Sequence, residues 1–144
     1  MKVVVSRVSS ASVSVDKKIV GSINNGLLIL ACILEEDTEE TLNYMVKKCV
    51  NLRIFSDEFG NMNKSLLDVK GSILSISQFT LAGNTKKGNR PSFLGVKNKE
   101  EAKAFYNLFN EKLRKYVNVE EGIFGADMKI NANLDGPVTL LLDK

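Results

Sequence analysis

The chain has 144 residues, a formal net charge of +3 and an isoelectric point near 8.8. This length and the 44% content of hydrophobic residues predict one globular domain, residues 1–144, with a sizeable core. No stretch approaches the roughly 18 consecutive apolar residues of a membrane span, and the N-terminus does not read as a signal peptide. Cys32 and Cys49 lie among apolar neighbours, as reduced core thiols do. We therefore expect a cytoplasmic protein without a membrane partner.

The chain contains no histidine. Ser-His-Asp and Cys-His catalysis and the commonest zinc sites are therefore excluded. A Cys-x-x-Cys motif and a dense carboxylate cluster are absent as well, so we expect no metal. An enzyme of this composition lacks the usual side-chain base near neutral pH. Its substrate must be labile or must assist its own reaction.

The N-terminal part of the chain reads as β-structure. Residues 3–15 alternate between apolar and polar side chains, which predicts a strand. The alternation slips between Val5 and Val8, and this slip predicts a bulge. Residues 16–18 then predict a turn, and residues 19–23 predict a short strand that pairs with the first.

A central strand and a helix are predicted next. Asn24-Asn25-Gly26 predicts a second hairpin turn. The continuous apolar run 27–34 is typical of a strand that is covered on both faces. Asp37 predicts the N-cap of a helix, with Glu40 as its capping-box partner. Apolar residues at helical spacing predict the buried face of this helix: Leu42, Met45, Val46 and Cys49.

The middle of the chain contains a further buried strand and a long loop. Residues 53–55 predict a strand and residues 56–61 a turn. The run 71–76 predicts a buried strand that continues to Thr80. Residues 81–97 form the one long irregular stretch, and connections above about 12 residues in a compact domain are usually functional or disordered.

The C-terminal part predicts a second helix and the last strands. Asn98 and Glu101 predict the N-terminal cap of the helix. Its buried face is predicted from apolar residues at helical spacing: Ala102, Phe105, Tyr106, Phe109, Leu113 and Tyr116. Residues 122–130 and 137–142 predict the last strands. The whole pattern predicts an α/β protein that is mostly β with two helices.

Four residues at the end of the buried strand, Ser77-Gln78-Phe79-Thr80, are candidates for a binding site. Hydroxyl side chains are common in strands, so a purely structural role is one interpretation. The other is that a strand end beside a long loop presents polar groups to a ligand. A nucleophilic Thr80 would need an adjacent base, and none is visible. These residues are therefore better suited to position and polarise a substrate than to attack it.

Two further segments have open interpretations. Gly136-Pro137 is either an ordinary turn at the start of an edge strand or a cis bond that aims carbonyl groups into a pocket. Lys86, Lys87 and Arg90 place three positive charges on the long loop. They are either solvated or in contact with the phosphates of an RNA, and the net charge alone does not decide between these roles.

These motifs resemble those of the D-aminoacyl-tRNA deacylases, the D-tyrosyl-tRNA deacylase family. Ser77-Gln78-Phe79-Thr80 and Gly136-Pro137-Val138-Thr139 carry the resemblance most clearly. Other segments occur in the order and spacing of the family across essentially the whole chain: 7–8, 11–13, 26–28, 53–57, 60–63, 88–93, 124–128 and 135–136. One departure is Leu134, where the family usually has asparagine.

The resemblance implies a compact β-barrel-like subunit with two helices packed on it, which forms a homodimer with active sites at the interface. It implies that Ser77, Gln78 and Thr80 form the catalytic segment. The residues that it places around the substrate are Phe79, Ala102, Met128, Gly136 and Pro137. Of these, Gly136 and Pro137 enter from the other subunit, and Arg7 supports them.

The implied activity is hydrolysis of the ester bond of D-aminoacyl-tRNA without an organic cofactor, with tRNA contacts at Lys86, Lys87 and Arg90. L-aminoacyl esters are rejected by the Gly-cis-Pro segment, whereas glycine mischarged on tRNA is removed. The terminal 2′-hydroxyl of the tRNA assists hydrolysis, which suits a chain without histidine. Two rival hypotheses are a non-catalytic RNA-binding protein on the same fold and a metal-independent esterase for small substrates.

Overall fold

A long N-terminal strand, β1 (Lys2–Val15), organises the main sheet. The computed structural model describes residues 1–144. After β1 the elements follow in this order: β2 (Lys18–Ile23), β3 (Gly26–Cys32), α1 (Glu39–Asn51), β4 (Phe55–Ser56), β5 (Met62–Lys64), β6 (Ser72–Ser77), a 3-10 helix (Phe79–Ala82), α2 (Lys99–Arg114), β7 (Val119–Glu121) and β8 (Lys129–Asp143). Neither α-helix is long and apolar enough to cross a membrane.

Strands β2 and β3 lie end to end along one edge of β1. Both are antiparallel to β1, and the pairs Ala11–Ile23 and Val8–Gly26 belong to one continuous register. The predicted hairpin turn at residues 24–26 is therefore wrong, because β2 and β3 do not pair with each other. The 14-residue β1 is long enough to accept both strands on one edge, so these residues only connect two consecutive strands.

The other edge of β1 pairs with β8 in antiparallel register, from Lys2–Asp143 to Ser14–Lys129. This register is irregular on both sides of Val8. Between Ser6 and Val8 the extra residues belong to β8, whereas between Val8 and Ser10 the extra residue belongs to β1. A bulge in β1 is therefore present, but it follows Val8 and does not lie between Val5 and Val8, where β1 pairs regularly with β3. Val3 and Val5 pack into the larger hydrophobic cluster, and the bulge lets Val8 and Val13 pack together into a smaller one.

The sheet continues from β3 through two parallel strands. β3 pairs with β6, and β6 pairs with β7. β2 then approaches β7 through Gly21, where a Cβ atom would lie 3.0 Å from the carbonyl oxygen of Glu121. The sheet curls into a nearly closed barrel because this glycine allows the two strands to approach each other.

Both helices pack into one core with β1 and β3. The larger cluster contains 21 buried residues, including Ile29, Met45, Phe109 and Leu113. Full burial of such a side chain contributes about 1.5–3 kcal/mol relative to exposure. Cys49 lies in the same cluster, and burial raises the pKa of its thiol to about 12. This thiol therefore stays neutral, as the prediction of a core cysteine requires.

The two helix caps differ in how well the sequence predicts them. Asn98 caps α2 as predicted, because its side chain accepts a hydrogen bond from the backbone N–H of Glu101 at 3.0 Å. The prediction of Asp37 and Glu40 for α1 is wrong, since Thr38 and Thr41 form the capping box there. The carboxylate of Asp37 instead accepts hydrogen bonds from the Met1 ammonium and the Leu34 N–H.

Several strand boundaries also differ from the prediction: β3 ends at Cys32 rather than at residue 34, and β4 covers Phe55–Ser56 rather than residues 53–55. β6 ends at Ser77, and Thr80 lies in the 3-10 helix rather than in the strand. Residues 122–128 form a loop between β7 and β8. β8 is one continuous strand that passes through Gly136 and Pro137. Proline fits there because β8 lies at the edge of the sheet, where an N–H on the unpaired side is not needed.

Replacement of Gly26 tests how tightly β3 and β6 approach each other. A Cβ atom at Gly26 would lie 1.9 Å from the carbonyl oxygen of Ser72, which is backbone and cannot rotate away. We expect Gly26→Ala to lower the free energy of unfolding by about 2–3 kcal/mol, as overpacking does. Urea denaturation followed by circular dichroism measures the loss. The exposed neighbour Asn25 provides the control, and Asn25→Ala should change stability by less than about 0.5 kcal/mol. Equal stability of the two variants would contradict this packing.

Candidate active site

A cavity of about 590 Å³ opens beside the end of β6. Its walls come from the ends of β3 and β6, the first turns of α2 and the loop 122–128. Of its 16 lining residues, 11 are hydrophobic. Five of the residues that the sequence analysis singles out lie in this wall: Ser77, Gln78, Phe79, Ala102 and Met128. Residues far apart in the chain thus meet in one concave site of the kind that binds small molecules.

The segment after β6 turns sharply at the edge of the cavity. The backbone N–H of Gln78 still donates to the carbonyl oxygen of Ala31 at 2.7 Å, and the 3-10 helix begins at the next residue. The side-chain amide of Gln78 donates to the hydroxyl oxygen of Thr80. Thr80 is exposed next to the cavity and does not line it. The hydrogen bond from Gln78 fixes the orientation of the Thr80 side chain.

Phe79 connects the cavity wall to the long loop. Its side chain is 56% exposed, and its ring packs edge-on against Phe93 with 5.1 Å between the ring centroids. Such a pair contributes about 0.5–1.5 kcal/mol beyond its buried area. The Cys32 thiol lies 3.5 Å from the Phe79 carbonyl oxygen. Phe93 therefore holds the ring of Phe79, and Cys32 contacts the backbone of the same residue.

The long loop forms a hairpin-like excursion on the surface. Asn84 and Ser92 exchange two backbone hydrogen bonds at 2.8 and 3.0 Å. Lys86, Lys87 and Arg90 lie on the excursion between them, all exposed and without a carboxylate within 4.0 Å. These three basic residues do not line the cavity. They form a free positive surface on a loop whose base, at Phe93, packs on the cavity wall.

The cavity wall contains three titratable side chains, Lys97, Lys99 and Tyr106, and no carboxylate or thiol. The Tyr106 hydroxyl donates to the carbonyl oxygen of Ser75 at 2.9 Å. Burial raises the pKa of Tyr106 above its ordinary value. The wall contains no histidine, carboxylate or thiol, which are the side chains most often used as general bases. The wall therefore offers orientation and hydrogen bonds rather than acid–base catalysis.

Gly136 and Pro137 lie in an exposed part of β8 and do not line the cavity of their own chain. The peptide bond between them is cis. Arg7 supports the preceding residue, because its Nε lies 3.0 Å from Oδ2 and 3.2 Å from the carbonyl oxygen of Asp135. Another nitrogen of the guanidinium donates to the carbonyl oxygen of Ile54. A Cβ atom at Gly136 would come within 2.9 Å of Arg7 Nη2.

The sequence analysis missed several residues of the cavity wall. Lys97 and Lys99 flank the cap of α2, and Phe124 and Gly125 lie in the loop 122–128. In the sequence, the only signal that these residues belong to the site is that they lie close to segments already predicted to form it. The structure contains no group of three or more His, Cys, Asp or Glu side chains that could hold a metal ion.

Comparisons with known proteins give the same family as the sequence motifs. A family model described as D-Tyr-tRNA(Tyr) deacylase matches residues 4–143. A solved structure titled "c-Myc DNA Unwinding Element Binding Protein" is 43% identical, with a TM-score of 0.95, and the match covers 100% of this chain and 99% of that one.

A second solved structure, of a probable eukaryotic D-amino acid tRNA deacylase, has a TM-score of 0.88 and 19% identity. The match covers 99% of this chain and 98% of that one. At this identity the likeness concerns the fold, a barrel-like sheet with two helices. Because the family model spans nearly the whole sequence, the chain belongs to the D-Tyr-tRNA(Tyr) deacylase family, hydrolases that act on the ester bond of aminoacyl-tRNA.

Proposed function

We propose that this protein hydrolyses D-aminoacyl-tRNA to free D-amino acid and tRNA, and spares L-aminoacyl-tRNA. One observation carries the proposal. The hydroxyl and amide groups of Ser77, Gln78 and Thr80 gather at the edge of an apolar cavity whose wall contains no histidine, carboxylate or thiol. Such a site suits a substrate that is already activated, and the ester of an aminoacyl-tRNA is one.

The proposed reaction adds the oxygen of water to the carbonyl carbon of the ester. The bond from this carbon to the ribose oxygen then breaks, and the ribose oxygen leaves with a proton. The neighbouring 2′-hydroxyl of the terminal ribose assists the proton transfer. The protein holds the ester in place, and backbone N–H groups near Thr80 stabilise the oxyanion as it forms. Because Thr80 accepts a hydrogen bond from Gln78 and lacks a base, it positions the substrate.

Chiral selection is proposed to come from a second copy of the chain. Gly136 and Pro137 of the partner subunit enter the cavity, and their carbonyl oxygens accept hydrogen bonds from the substrate ammonium. They also crowd the position that an L side chain would occupy. Discrimination by exclusion requires no strong contact with the D side chain. Glycine has no side chain to exclude, so glycine mischarged on tRNA is also a proposed substrate.

The surface of β8 supports a homodimer. Its 15 residues pair with β1 along one edge only, and long unpaired edge strands are normally covered. Leu141 is 62% exposed and follows Pro137 by four residues on the same edge strand. A partner that covers Leu141 would also bring the segment 136–137 into contact.

The tRNA is proposed to lie across the basic surface of Lys86, Lys87 and Arg90, whose ammonium and guanidinium groups would contact phosphates. The whole chain, residues 1–144, would act as one deacylase domain in the cytoplasm. A second candidate function is nucleic acid binding without catalysis. It is favoured by the free positive charges of this loop and by the name of the 43% identical relative, which describes binding to a DNA element.

Hydrolysis of matched D- and L-phenylalanyl-tRNA by the purified protein tests the proposal. We expect the D-ester to be hydrolysed at least about 100-fold faster than the L-ester, because exclusion acts on the L side chain. EDTA in the assay should leave the rate unchanged. Equal hydrolysis of both esters would contradict the proposed selection. Tight binding of tRNA with hydrolysis of neither ester would favour the second candidate function.

The roles of Gln78 and Thr80 can be separated from nucleophilic catalysis by a double-mutant cycle. If Gln78 orients Thr80, then Gln78→Ala and Thr80→Val should each lower kcat/KM about 10-fold, the cost of one hydrogen bond. The double variant should lose little more, because the two residues act as one unit. Thr80→Ser keeps the hydroxyl and should remain within about threefold of wild type. A nucleophilic Thr80 would instead give a loss of about 10⁴-fold for Thr80→Val and a covalent acyl-enzyme.

The homodimer is tested by sedimentation equilibrium of Leu141→Arg. A charge placed in an apolar interface should raise the dimer dissociation constant at least about 100-fold, because the leucine burial is lost and the guanidinium is desolvated. The same change at Ile19, an equally exposed apolar residue on β2, serves as the control and should not affect association. A wild-type protein that is monomeric at micromolar concentration would refute the interface on β8.

A further inference from the structure

Lys99 is an unpaired cation in the cavity wall. It lines the cavity together with Gln78, Phe79 and Ala102. No carboxylate lies within 4.0 Å of its ammonium group, and it takes part in none of the side-chain hydrogen bonds. A free ammonium beside a substrate site has its full charge available for an anionic part of the substrate.

Lys97 also lines the cavity, but its ammonium group is already engaged. It donates to the carbonyl oxygen of Glu35 at 2.9 Å and lies 4.7 Å from the centre of the Phe105 ring. Both contacts fix the side chain at the side of the cavity. Of the two lysines in the wall, Lys99 is therefore the one that can turn toward a ligand.

The stability of α2 does not explain why a lysine occupies position 99. It is the first residue of α2, where the partial positive charge of the helix disfavours a cation, and the next two residues are the acidic ones that this position favours. The Lys99 side chain passes over Gly125, whose φ is +78°. A Cβ atom there would lie 3.7 Å from Lys99 Cε. A residue that opposes the local electrostatics and lies in a binding cavity is a candidate for function.

We propose that Lys99 binds the phosphodiester that joins the last two nucleotides of aminoacyl-tRNA. This inference rests on the proposed function, since it assumes that the aminoacyl ester occupies the cavity. The phosphodiester one nucleotide away is then the first anion that the substrate presents outside the site. The ester, the ribose and the terminal base are uncharged, so the charge of Lys99 has no other partner in that part of the substrate.

Lys99 and the loop residues would then contact different parts of the tRNA. Lys86, Lys87 and Arg90 do not line the cavity, so the phosphates that they would contact lie further along the tRNA. A contact that close to the ester positions the reacting end, whereas the contacts of the loop add affinity for the tRNA body. Lys99 is in this sense a positioning residue for the hydrolysis.

The test measures binding to stable substrate analogues, so it does not depend on hydrolysis. The probes carry D-phenylalanine on the 3′-amino group of a terminal 3′-amino-3′-deoxyadenosine, linked through its 5′ oxygen to cytidine. One probe has the natural phosphodiester, and the other has a neutral methylphosphonate in its place. We expect wild-type protein to bind the phosphodiester about 5–10-fold more tightly, as one partly exposed ion pair allows. Lys99→Ala should bind both probes equally, and Lys99→Arg should restore the preference.

Lys103 provides a matched control, because it lies one turn further along α2, is exposed and does not line the cavity. Lys103→Ala should keep the full preference for the phosphodiester. The proposal is overturned if Lys99→Ala still prefers the phosphodiester probe as strongly as wild type does, whether or not its affinity for both probes falls. It is also overturned if Lys103→Ala loses this preference. Hydrolysis of D-phenylalanyl-tRNA by the wild-type protein is measured separately. Its absence would refute the proposed function, while the comparison of the two probes still decides whether Lys99 binds the phosphate.

Discussion

Pairing of β1 along both of its edges is the constraint on which the rest of the structure depends. One edge accepts β3, and β3 in turn positions β6, whose end carries the Ser77–Thr80 segment. The other edge accepts β8, which carries Gly136 and Pro137. The two segments most closely linked to the proposed function are therefore held by opposite edges of one strand. Gly136 and Pro137 do not line the cavity of their own chain, and the proposed function therefore brings them to it from a second copy.

Local patterns predicted the elements well where local physics determines them. The presence of a bulge in β1, the cap at Asn98 and most of the buried faces of both helices follow from side-chain spacing and capping chemistry. Tyr116 was wrongly predicted on the buried face of α2, because the helix ends at Arg114 and the Tyr116 side chain is 49% exposed. The errors arise where distant contacts override local preference. Asp37 has the chemistry of an N-cap, but it is engaged by the Met1 ammonium and the Leu34 N–H. Asn24-Asn25-Gly26 has the composition of a hairpin turn, but β1 is long enough to pair with both flanking strands.

The same limit applies to the candidate site. The segment at the end of β6 was visible in the sequence because three polar side chains, Ser77, Gln78 and Thr80, follow a buried run. Lys99 and Tyr106 were not, since each reads as an ordinary helix residue until the fold places it in the cavity wall. The composition of that wall then bears on the chemistry. Tyr106 donates a hydrogen bond to the carbonyl oxygen of Ser75, and burial raises its pKa. Under the proposed function, orientation and backbone dipoles therefore remain to lower the barrier.

Leu134 lies directly before Asp135, the residue through which Arg7 holds the Gly136-Pro137 segment. The resemblance described in the sequence analysis leads to the expectation of asparagine at this position, and of weaker support where leucine replaces it. In the structure, however, Arg7 contacts the side chain and the backbone of Asp135, and Asn133 donates to Ser10 at 2.8 Å. The side chain of Leu134 is 54% exposed and its backbone pairs with Val8. The support of the segment therefore depends on the contact between Arg7 and Asp135 and not on the side chain of Leu134.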